Sequence, residues 1–380
     1  MAFSGGLAFA LWTALINNFA YQEAGFNGAD IGLLQSVREI PGFLSIAVVF
    51  LLFLLAEQRL ALVSLILLAG GTAITGLYPS MAGLLITTTI MSIGFHYYET
   101  VAQSLSLQWL SLERAPGALG VLIAVRSAAT LLALGGCWIA FELIEATFAS
   151  VYLVGGGLAL AIAFAAWLLF PAFPALTIQR RHIVLRRRYW LYYALVFLSG
   201  ARRQIFVVFA GFLLVEKFGY SVANMTLLLF LNSALNLALA PLIGRMIGRI
   251  GERRALIIEY VGLIIVFAGY GLVQSGTVAA VLYIADHVFF AMAIAIKTYF
   301  QKIGDPADMA PTAAVSFTIN HIAAVFIPVL FGLIWLVSPA AVFFAGAGLA
   351  ACSLVLATMV PNLPKPGLET IGRPAIASNV

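Results

Sequence analysis

The chain has 380 residues, of which 63% are hydrophobic and 9% charged, and its formal net charge is +5. Soluble domains carry roughly 25% charged residues, so this composition excludes a soluble globule and predicts a chain whose main solvent is lipid. The two cysteines, Cys137 and Cys352, are far apart in the sequence and lie in apolar runs. They form no CxxC metal motif and give no sign of a disulfide framework.

Apolar runs of spanning length follow one another along the chain. A spanning helix needs about 20 mainly apolar residues, and turn residues and charges separate twelve such runs. In chain order they are 3–21, 30–55, 60–78, 81–109, 117–141, 147–170, 189–215, 222–247, 255–273, 278–301, 310–337 and 340–360. A usual cleavable signal peptide is not indicated, because the first basic residue is Arg38. The sequence therefore predicts an all-α polytopic membrane protein with twelve transmembrane helices.

Basic residues fall almost entirely on one side of this twelve-helix plan. With both termini inside, the cytoplasmic loops hold fourteen Lys and Arg residues, whereas the outer loops hold Lys217 alone. Cytoplasmic loops of membrane proteins carry an excess of Lys and Arg. We therefore expect both termini in the cytoplasm of a bacterial inner membrane, and the net positive charge needs no nucleic-acid partner to account for it.

The two halves of the chain share one design. A constant offset of 194 residues, the separation of Gly25 and Gly219, also brings Arg59 onto Arg253 and superposes the span boundaries. The predicted parts are an N-terminal six-helix bundle, a basic cytoplasmic linker, a C-terminal six-helix bundle and a cytoplasmic tail, at 1–170, 171–188, 189–361 and 362–380. Parallel repeats of this kind are a known transporter architecture, with the site between the halves near the midplane.

A loop rich in glycine and arginine joins predicted helices 8 and 9. Its glycines permit a tight turn, and its arginines can pair with helix ends or carboxylates. The motif residues are Gly244, Arg249, Gly251, Arg253 and Arg254. With the twelve-helix plan and the basic central loop, this motif resembles the loop signature of the major facilitator superfamily, although Gly248 stands at the expected acidic position. An ordinary positively charged cytoplasmic loop is the alternative.

The resemblance implies a secondary transporter that works by alternating access, with helices 1, 4, 7 and 10 lining a cavity and helices 3, 6, 9 and 12 facing lipid. Charge inside a bilayer is costly and must face protein or water. Helices 3, 6 and 12 have no interior charge, and helix 9 has only Glu259. The cavity helices, in contrast, contain Asn17, Asn18, His96, Glu99, Gln103, Arg202, Arg203, Gln204, Asp286, His287 and Lys297.

Proton coupling is predicted from the titratable members of this group. His96 and Glu99 are three residues apart and share a helix face, and a carboxylate beside an imidazole can exchange protons near neutral pH. A structural pair that joins helices is the alternative, and a metal site is a weaker one. The predicted proton-coupling residues are Glu99, His96, Asp286, His287 and His321.

Substrate binding is predicted from the basic residues. Arg126 lies near the middle of helix 5, where its guanidinium could hold a carboxylate or phosphate in bidentate fashion, or could be neutralised by Glu99 or Glu39. The predicted substrate-binding residues are Arg126, Arg202, Arg203, Lys297, Asn17 and Gln103. Their basic character favours a small anionic or zwitterionic solute, with protons and membrane lipids as the other partners.

Three other functions remain open at this point. A membrane-embedded enzyme would need a clustered nucleophile or metal motif such as HExxH, and none is recognisable, so we predict no catalytic residues and no metal. A non-transporting sensor or assembly subunit, and a lipid flippase, would use the same scaffold. No Walker sequence is recognisable either, so neither a bound cofactor nor direct use of ATP is predicted.

Overall fold

The computed structural model describes residues 1–51, 54–109, 115–171, 185–305 and 309–371, and these residues form twelve helical segments. The first six are α1 (Ala2–Gln22), α2 (Gly28–Phe43), α3 (Glu57–Thr75), α4 (Met81–Trp109), α5 (Ala115–Glu142) and α6 (Phe148–Leu169). The second six are α7 (Arg187–Glu216), α8 (Val222–Ile250), α9 (Glu252–Leu272), α10 (Gly276–Ile303), α11 (Met309–Val337) and α12 (Pro339–Thr358). The predicted all-α, twelve-helix fold is therefore confirmed.

Eight of the helices in the described ranges are long and apolar enough to cross a membrane. They are α3, α5, α6, α7, α9, α10, α11 and α12, and α8 adds a shorter apolar stretch, Val222–Asn236. The remaining helices include α1 with its Asn pair, α2 with Arg38 and Glu39, and α4 with His96 and Glu99. Charged residues also lie within the long apolar helices, among them Arg126 on α5, Arg202 on α7 and Asp286 on α10.

Three helices change type part-way along. A 3-10 turn, Leu44–Ala47, continues α2 into a short helix, Val48–Leu51, and this turn follows Pro41, which has no N–H for the helical ladder. The helix α7 contains a π segment, Phe206–Ala210. The helix α10 contains a 3-10 turn, Ala291–Ala293. Helix irregularities of this sort are common at functional sites.

Two glycines at equivalent positions turn the chain after α1 and α7. Gly25 has a φ of 66° and Gly219 has a φ of 64°, which is the left-handed region that residues with a Cβ rarely adopt. They are separated by the 194-residue offset of the repeat. Asn27 then caps α2 by accepting hydrogen bonds from the amides of Ala29 and Asp30. The backbone geometry therefore repeats where the sequence predicts that it should.

The chain divides into two compact units, Met1–Gln179 with Val215–Phe230 (the N-terminal unit) and Arg180–Leu214 with Leu231–Val380 (the C-terminal unit). In the N-terminal unit α3 packs on α4 and α6, and α1 packs on α5 and α6. In the C-terminal unit α9 packs on α10 and α12, and α7 packs on α11 and α12. Both units therefore use one packing scheme. The predicted bundle and linker boundaries at 170, 188 and 361 stay predictions, because residues 172–184 lie outside the described part.

Candidate functional site

A buried charged network joins α2 to α4 in the N-terminal unit. Arg38 Nη2 donates to Glu39 Oε1, and the Arg38 guanidinium lies 5.6 Å from the centroid of the Trp12 ring. His96 Nε2 is 3.6 Å from Glu39 Oε2. Arg38, Glu39 and His96 are all buried, so each charge here depends on its partners rather than on water.

Ser92 fixes the orientation of the His96 ring. Its hydroxyl donates to the backbone carbonyl of Arg38, and His96 Nδ1 lies 3.0 Å from Ser92 Oγ and 3.1 Å from the Ser92 carbonyl. A carbonyl only accepts hydrogen bonds, so this geometry assigns a proton to Nδ1. The opposite nitrogen, Nε2, then faces the Glu39 carboxylate, and one further proton between those two atoms would satisfy both. His96 and Glu39 are thus arranged to share a proton.

Arg126 of α5 and Glu99 of α4 form a second, more accessible pair. Arg126 Nη2 donates to Glu99 Oε1 at 2.6 Å, and Nη1 donates to Oε2 at 3.1 Å. The side chains are 46% and 33% exposed, respectively. This is the bidentate geometry in which guanidinium binds carboxylates and phosphates. The sequence pairs His96 with Glu99 by their spacing, whereas the structure brings His96 to Glu39 and Glu99 to Arg126.

In the C-terminal unit, charged residues of α7 meet acids of α9 and α10. Arg202 Nη2 lies 3.8 Å from Glu259 Oε1, and its guanidinium lies 4.4 Å from the centroid of the Tyr260 ring. Arg203 Nη1 lies 3.9 Å from Asp286 Oδ2, and its guanidinium lies 4.7 Å from the Phe290 ring centroid. The adjacent arginines therefore point to different helices, as expected for positions about 100° apart.

His287 extends this group along α10. Its Nδ1 lies 2.9 Å from the carbonyl of Tyr283 and 4.0 Å from Asp286 Oδ2. Because a carbonyl only accepts hydrogen bonds, Nδ1 donates to Tyr283. His321 of α11 is held in the same way, since its Nδ1 lies 2.9 Å from the carbonyl of Phe317. Both histidines are therefore oriented by the carbonyl four residues earlier on their own helix.

Each unit places a glycine of its first helix against a polar residue of its fifth. A Cβ built on Gly6 would lie 3.1 Å from both Cγ and the carbonyl oxygen of Arg126, and one built on Gly200 would lie 2.3 Å from Asn320 Oδ1. Gly6 and Gly200, like Arg126 and Asn320, are separated by 194 residues. The internal repeat therefore extends to the surroundings of the predicted substrate-binding arginine.

The other predicted substrate-binding residues lie apart from these contacts. Lys297 is exposed on α10. Asn17 lies on α1 with its buried Oδ1 lacking a hydrogen-bond partner among the described residues. The side chain of Gln103 lies outside the described residues. The roles predicted for these three residues stay predictions.

The arginine-rich loop motif begins α9. Gly251, with a φ of 82°, stands at the N-cap of α9, and Arg249 lies in the last turn of α8. Glu252, the first residue of α9, pairs with Lys302 at 2.6 Å. Arg253 and Arg254 line a shallow groove with Asn362 and Leu363 from the segment after α12, and Gly244 is exposed on α8. The conformational role predicted for this loop motif stays a prediction.

The sequence did not single out several members of these networks. The sequence pattern indicates Glu39 as a possible neutralising partner of Arg126, gives no role to Ser92 or Trp12, and places Glu259 on a helix expected to face lipid. Glu259 had one usable signal, because it is the only charge in the interior of helix 9. Ser92 lies one helical turn before His96, a spacing that brings two side chains together.

Comparison with known proteins places the chain in a family. The model of the Major Facilitator Superfamily matches residues 1–328. The chain belongs to the major facilitator superfamily. Its sequence matches no curated protein.

Solved structures of this superfamily share the fold. A mutant of the nucleoside transporter NupG matches with a TM-score of 0.76 and 16% identity, over 94% of this chain and 98% of that chain. A bacterial homolog to the human lysosomal transporter Spinster, inward-facing and occupied, matches with a TM-score of 0.72 and 13% identity, over 94% of this chain and 92% of that chain. At these identities the similarity concerns the fold alone.

Proposed function

We propose that this superfamily member is a secondary transporter that moves a small anionic or zwitterionic solute together with protons by alternating access. We place it in a bacterial cytoplasmic membrane with both termini inside. The observation that supports the solute class is the bidentate pair of Arg126 and Glu99, at 2.6 and 3.1 Å with both side chains partly exposed.

The proposed mechanism is an exchange of one carboxylate for another. Glu99 occupies the two Arg126 nitrogens that a carboxylate or phosphate of the solute would use. When Glu99 takes a proton it loses its charge and no longer competes, so the guanidinium becomes available to the solute. One proton and one anionic group therefore bind together, and release of the proton returns Glu99 to Arg126 and expels the solute.

The buried contact of His96 with Glu39 supports a proton pathway beside this exchange. His96 Nε2 and Glu39 Oε2 are 3.6 Å apart, with Nδ1 held by Ser92. An imidazole titrates in the physiological range and can both accept and donate a proton. His96 and Glu99 lie three residues apart on α4, and transfer of protons between these two residues is part of the proposal.

The first experiment is a thermal-stability screen of the purified protein against small carboxylates, organic phosphates and zwitterions at pH 5.5 and 7.5. A ligand at a hundred times its Kd stabilises the folded state by about 2.7 kcal/mol. We expect an anionic hit with stronger binding at pH 5.5. The hit is then loaded into liposomes, and its transport is measured under an imposed pH gradient.

Three variants and one control test the residue roles. Arg126→Ala should abolish binding of the hit, and Arg126→Lys should weaken it strongly because the bidentate geometry is lost. Glu99→Gln should bind equally at both pH values and should lose proton-driven transport. Lys217→Gln, which removes an exposed positive charge in the loop after α7, should behave as wild type. Unchanged binding in Arg126→Ala, or unchanged pH dependence in Glu99→Gln, would refute the proposal.

A nucleoside is the second candidate solute, because a nucleoside transporter shares the fold over nearly the whole chain. Nucleosides therefore belong in the same screen. A nucleoside that stabilises the protein equally with and without Arg126 would favour this candidate over the anion. Stabilisation by lipids alone would instead favour a flippase, and a screen without any hit would favour a sensor or assembly subunit.

A further inference from the structure

A second group of charges is buried in the C-terminal unit. Arg202 is 1% exposed, Glu259 is 0% exposed and Asp286 is 2% exposed. Arg203 belongs to the same group, and its side chain is 32% exposed. Burial of the first three charges is costly unless each one is paired and hydrogen-bonded. We refer to these four residues as the C-terminal charge cluster.

The pairs within this cluster are too long for hydrogen bonds. The two N–O distances are 3.8 Å for Arg202 with Glu259 and 3.9 Å for Arg203 with Asp286. Hydrogen bonds from nitrogen to oxygen normally lie between about 2.7 and 3.2 Å. The charges therefore attract one another, but their donors and acceptors do not meet.

Unpartnered atoms of both kinds remain inside the cluster. Among the described residues, no hydrogen bond is made by Arg202 Nη1 or Nη2, by either carboxylate oxygen of Glu259, by Asp286 Oδ2 or by Arg203 Nη1. An anion would satisfy only the guanidinium donors, and a cation only the carboxylate acceptors. Water satisfies both, and buried waters typically bond to such groups. A proton satisfies a carboxylate oxygen by turning it into a donor.

The surroundings leave the two carboxylates as the proton acceptors of the cluster. The groups that face them are Arg202 and Arg203 from α7, Tyr260 from α9, and Tyr283 and His287 from α10. The His287 Nδ1 is already committed to the Tyr283 carbonyl. The helix α12, which packs on α9, carries no Asp, Glu, Lys, Arg, His or Tyr, and α11, which packs on α7, carries only His321 of these types.

The two pairs form one electrostatic unit. Asp286 interacts with Arg202 as well as with Arg203, and Glu259 interacts with Asp286. With both acids ionised the four charges sum to zero, and one added proton makes the cluster positive. The partly exposed Arg203 connects the buried part to the surface, because a charged side chain in a membrane protein faces water or protein rather than lipid.

We propose that Arg202, Arg203, Glu259 and Asp286 enclose a hydrated proton-binding site in which water bridges the two ion pairs and Glu259 accepts a proton from it. A hydronium ion enters on the side of Arg203, the partly exposed member of the cluster. It transfers its proton to a carboxylate oxygen of Glu259, which becomes a neutral carboxylic acid, and a water molecule remains. The inference deepens the proposed proton coupling, on which its role in transport rests. Proton binding itself is measurable without any solute.

The test is pH-difference infrared spectroscopy of the wild-type protein in lipid nanodiscs, without solute, in ordinary and isotopically heavy water. We expect a carboxylic-acid band that appears as the pH falls, together with bands of weakly hydrogen-bonded water. Glu259→Gln should lose the acid band, and Asp286→Asn should shift it because the two pairs interact. The matched control is Glu252→Gln, which removes a buried acid of the same helix whose Oε2 already accepts a hydrogen bond from Lys302 at 2.8 Å.

A second variant covers the risk that Glu259→Gln alone does not fold, since it leaves Arg202 buried without a counter-charge. Arg202→Gln with Glu259→Gln removes both charges and should also lose the acid band. An unchanged band in Glu259→Gln or in the double variant, or an unshifted band in Asp286→Asn, overturns the proposal. If the protein transports a solute with protons but shows no acid band, only the proton-binding site is refuted. If the acid band is present but no solute is transported, only the proposed function is refuted.

Discussion

Both units pair arginines with carboxylates inside the helix bundle, but the geometry and the burial of these pairs differ. In the N-terminal unit, Arg126 donates two hydrogen bonds to Glu99, at 2.6 and 3.1 Å, and both side chains are partly exposed. In the C-terminal unit, Arg202 and Glu259 are fully buried and stay 3.8 Å apart. A close, accessible pair costs little to open, whereas a loose, buried pair costs much to disturb. The first suits solute exchange and the second suits storage of a proton.

The largest expected effect tests whether the buried pair is neutral as a unit. Glu259→Leu alone leaves the Arg202 charge unpaired and should lower the free energy of unfolding by about 3–5 kcal/mol. Arg202→Met combined with Glu259→Leu should restore most of that loss, because an apolar pair of similar volume replaces both charges. Unfolding in detergent micelles measures both variants. A double variant as unstable as Glu259→Leu would show that the loss of stability does not come from the unpaired Arg202 charge.

The next effect compares the equivalent glycines. Gly6→Ala should cost about 1–3 kcal/mol, because the new methyl group would press on the backbone carbonyl of Arg126 at 3.1 Å. Gly200→Ala meets a side-chain atom instead, Asn320 Oδ1 at 2.3 Å. Asn320→Ala should therefore relieve the cost of Gly200→Ala, whereas Arg126→Ala should leave most of the cost of Gly6→Ala. A double-mutant cycle in each unit measures this difference, and equal relief in both would contradict it.

A smaller effect concerns the turns after α1 and α7. Gly25→Ala and Gly219→Ala should each cost about 1–2 kcal/mol, which is the penalty of a left-handed backbone for a residue with a Cβ. The two costs should add, since no atom lies within 4 Å of a Cβ built at either position and neither new methyl group meets a neighbour. Gly70→Ala is the control, because Gly70 lies within α3 with open space at its Cβ and alanine favours a helix by about 1 kcal/mol. Equal losses at all three glycines would rule out the backbone explanation.

The smallest expected effect on stability is at the accessible pair. Glu99→Gln should change the free energy of unfolding by less than about 1 kcal/mol, as is usual for exposed ion pairs, although it should abolish proton-driven transport. The same substitution at Glu259 should be far more damaging to stability. Comparable losses at Glu99 and Glu259 would remove the distinction between the two units.

The fold was predictable because the physics that decides it is local. A membrane helix must be apolar for about 20 residues, and its start needs turn residues before it, so α4 begins at the predicted residue 81. The repeat also anticipated Gly25 and Gly219. The 3-10 and π segments were not predicted, because their causes lie in the packing of neighbouring helices rather than in hydrophobic pattern.

The pairing of charges was less predictable, for a reason that particular residues illustrate. Spacing along α4 places His96 and Glu99 on one face, but the partners Glu39 and Arg126 come from other helices. The repeat gives no help for the buried cluster, because Arg202 and Glu259 correspond to the apolar Ala8 and Leu65 at the same offset. Which helix faces a charged residue is a property of tertiary packing that a single sequence does not encode locally.

The π segment of α7 determines the direction in which Arg202 and Arg203 point. A π segment accommodates an additional residue within the helix, and each residue of an α-helix turns the chain by about 100°. Phe206–Ala210 therefore sets a rotational offset between the part of α7 that carries Arg202 and the part whose Phe209 stacks on Trp335 at 5.3 Å. Deleting Val207 would restore a regular helix and rotate Arg202 and Arg203 away from their acids, with the contact between Phe209 and Trp335 left in place.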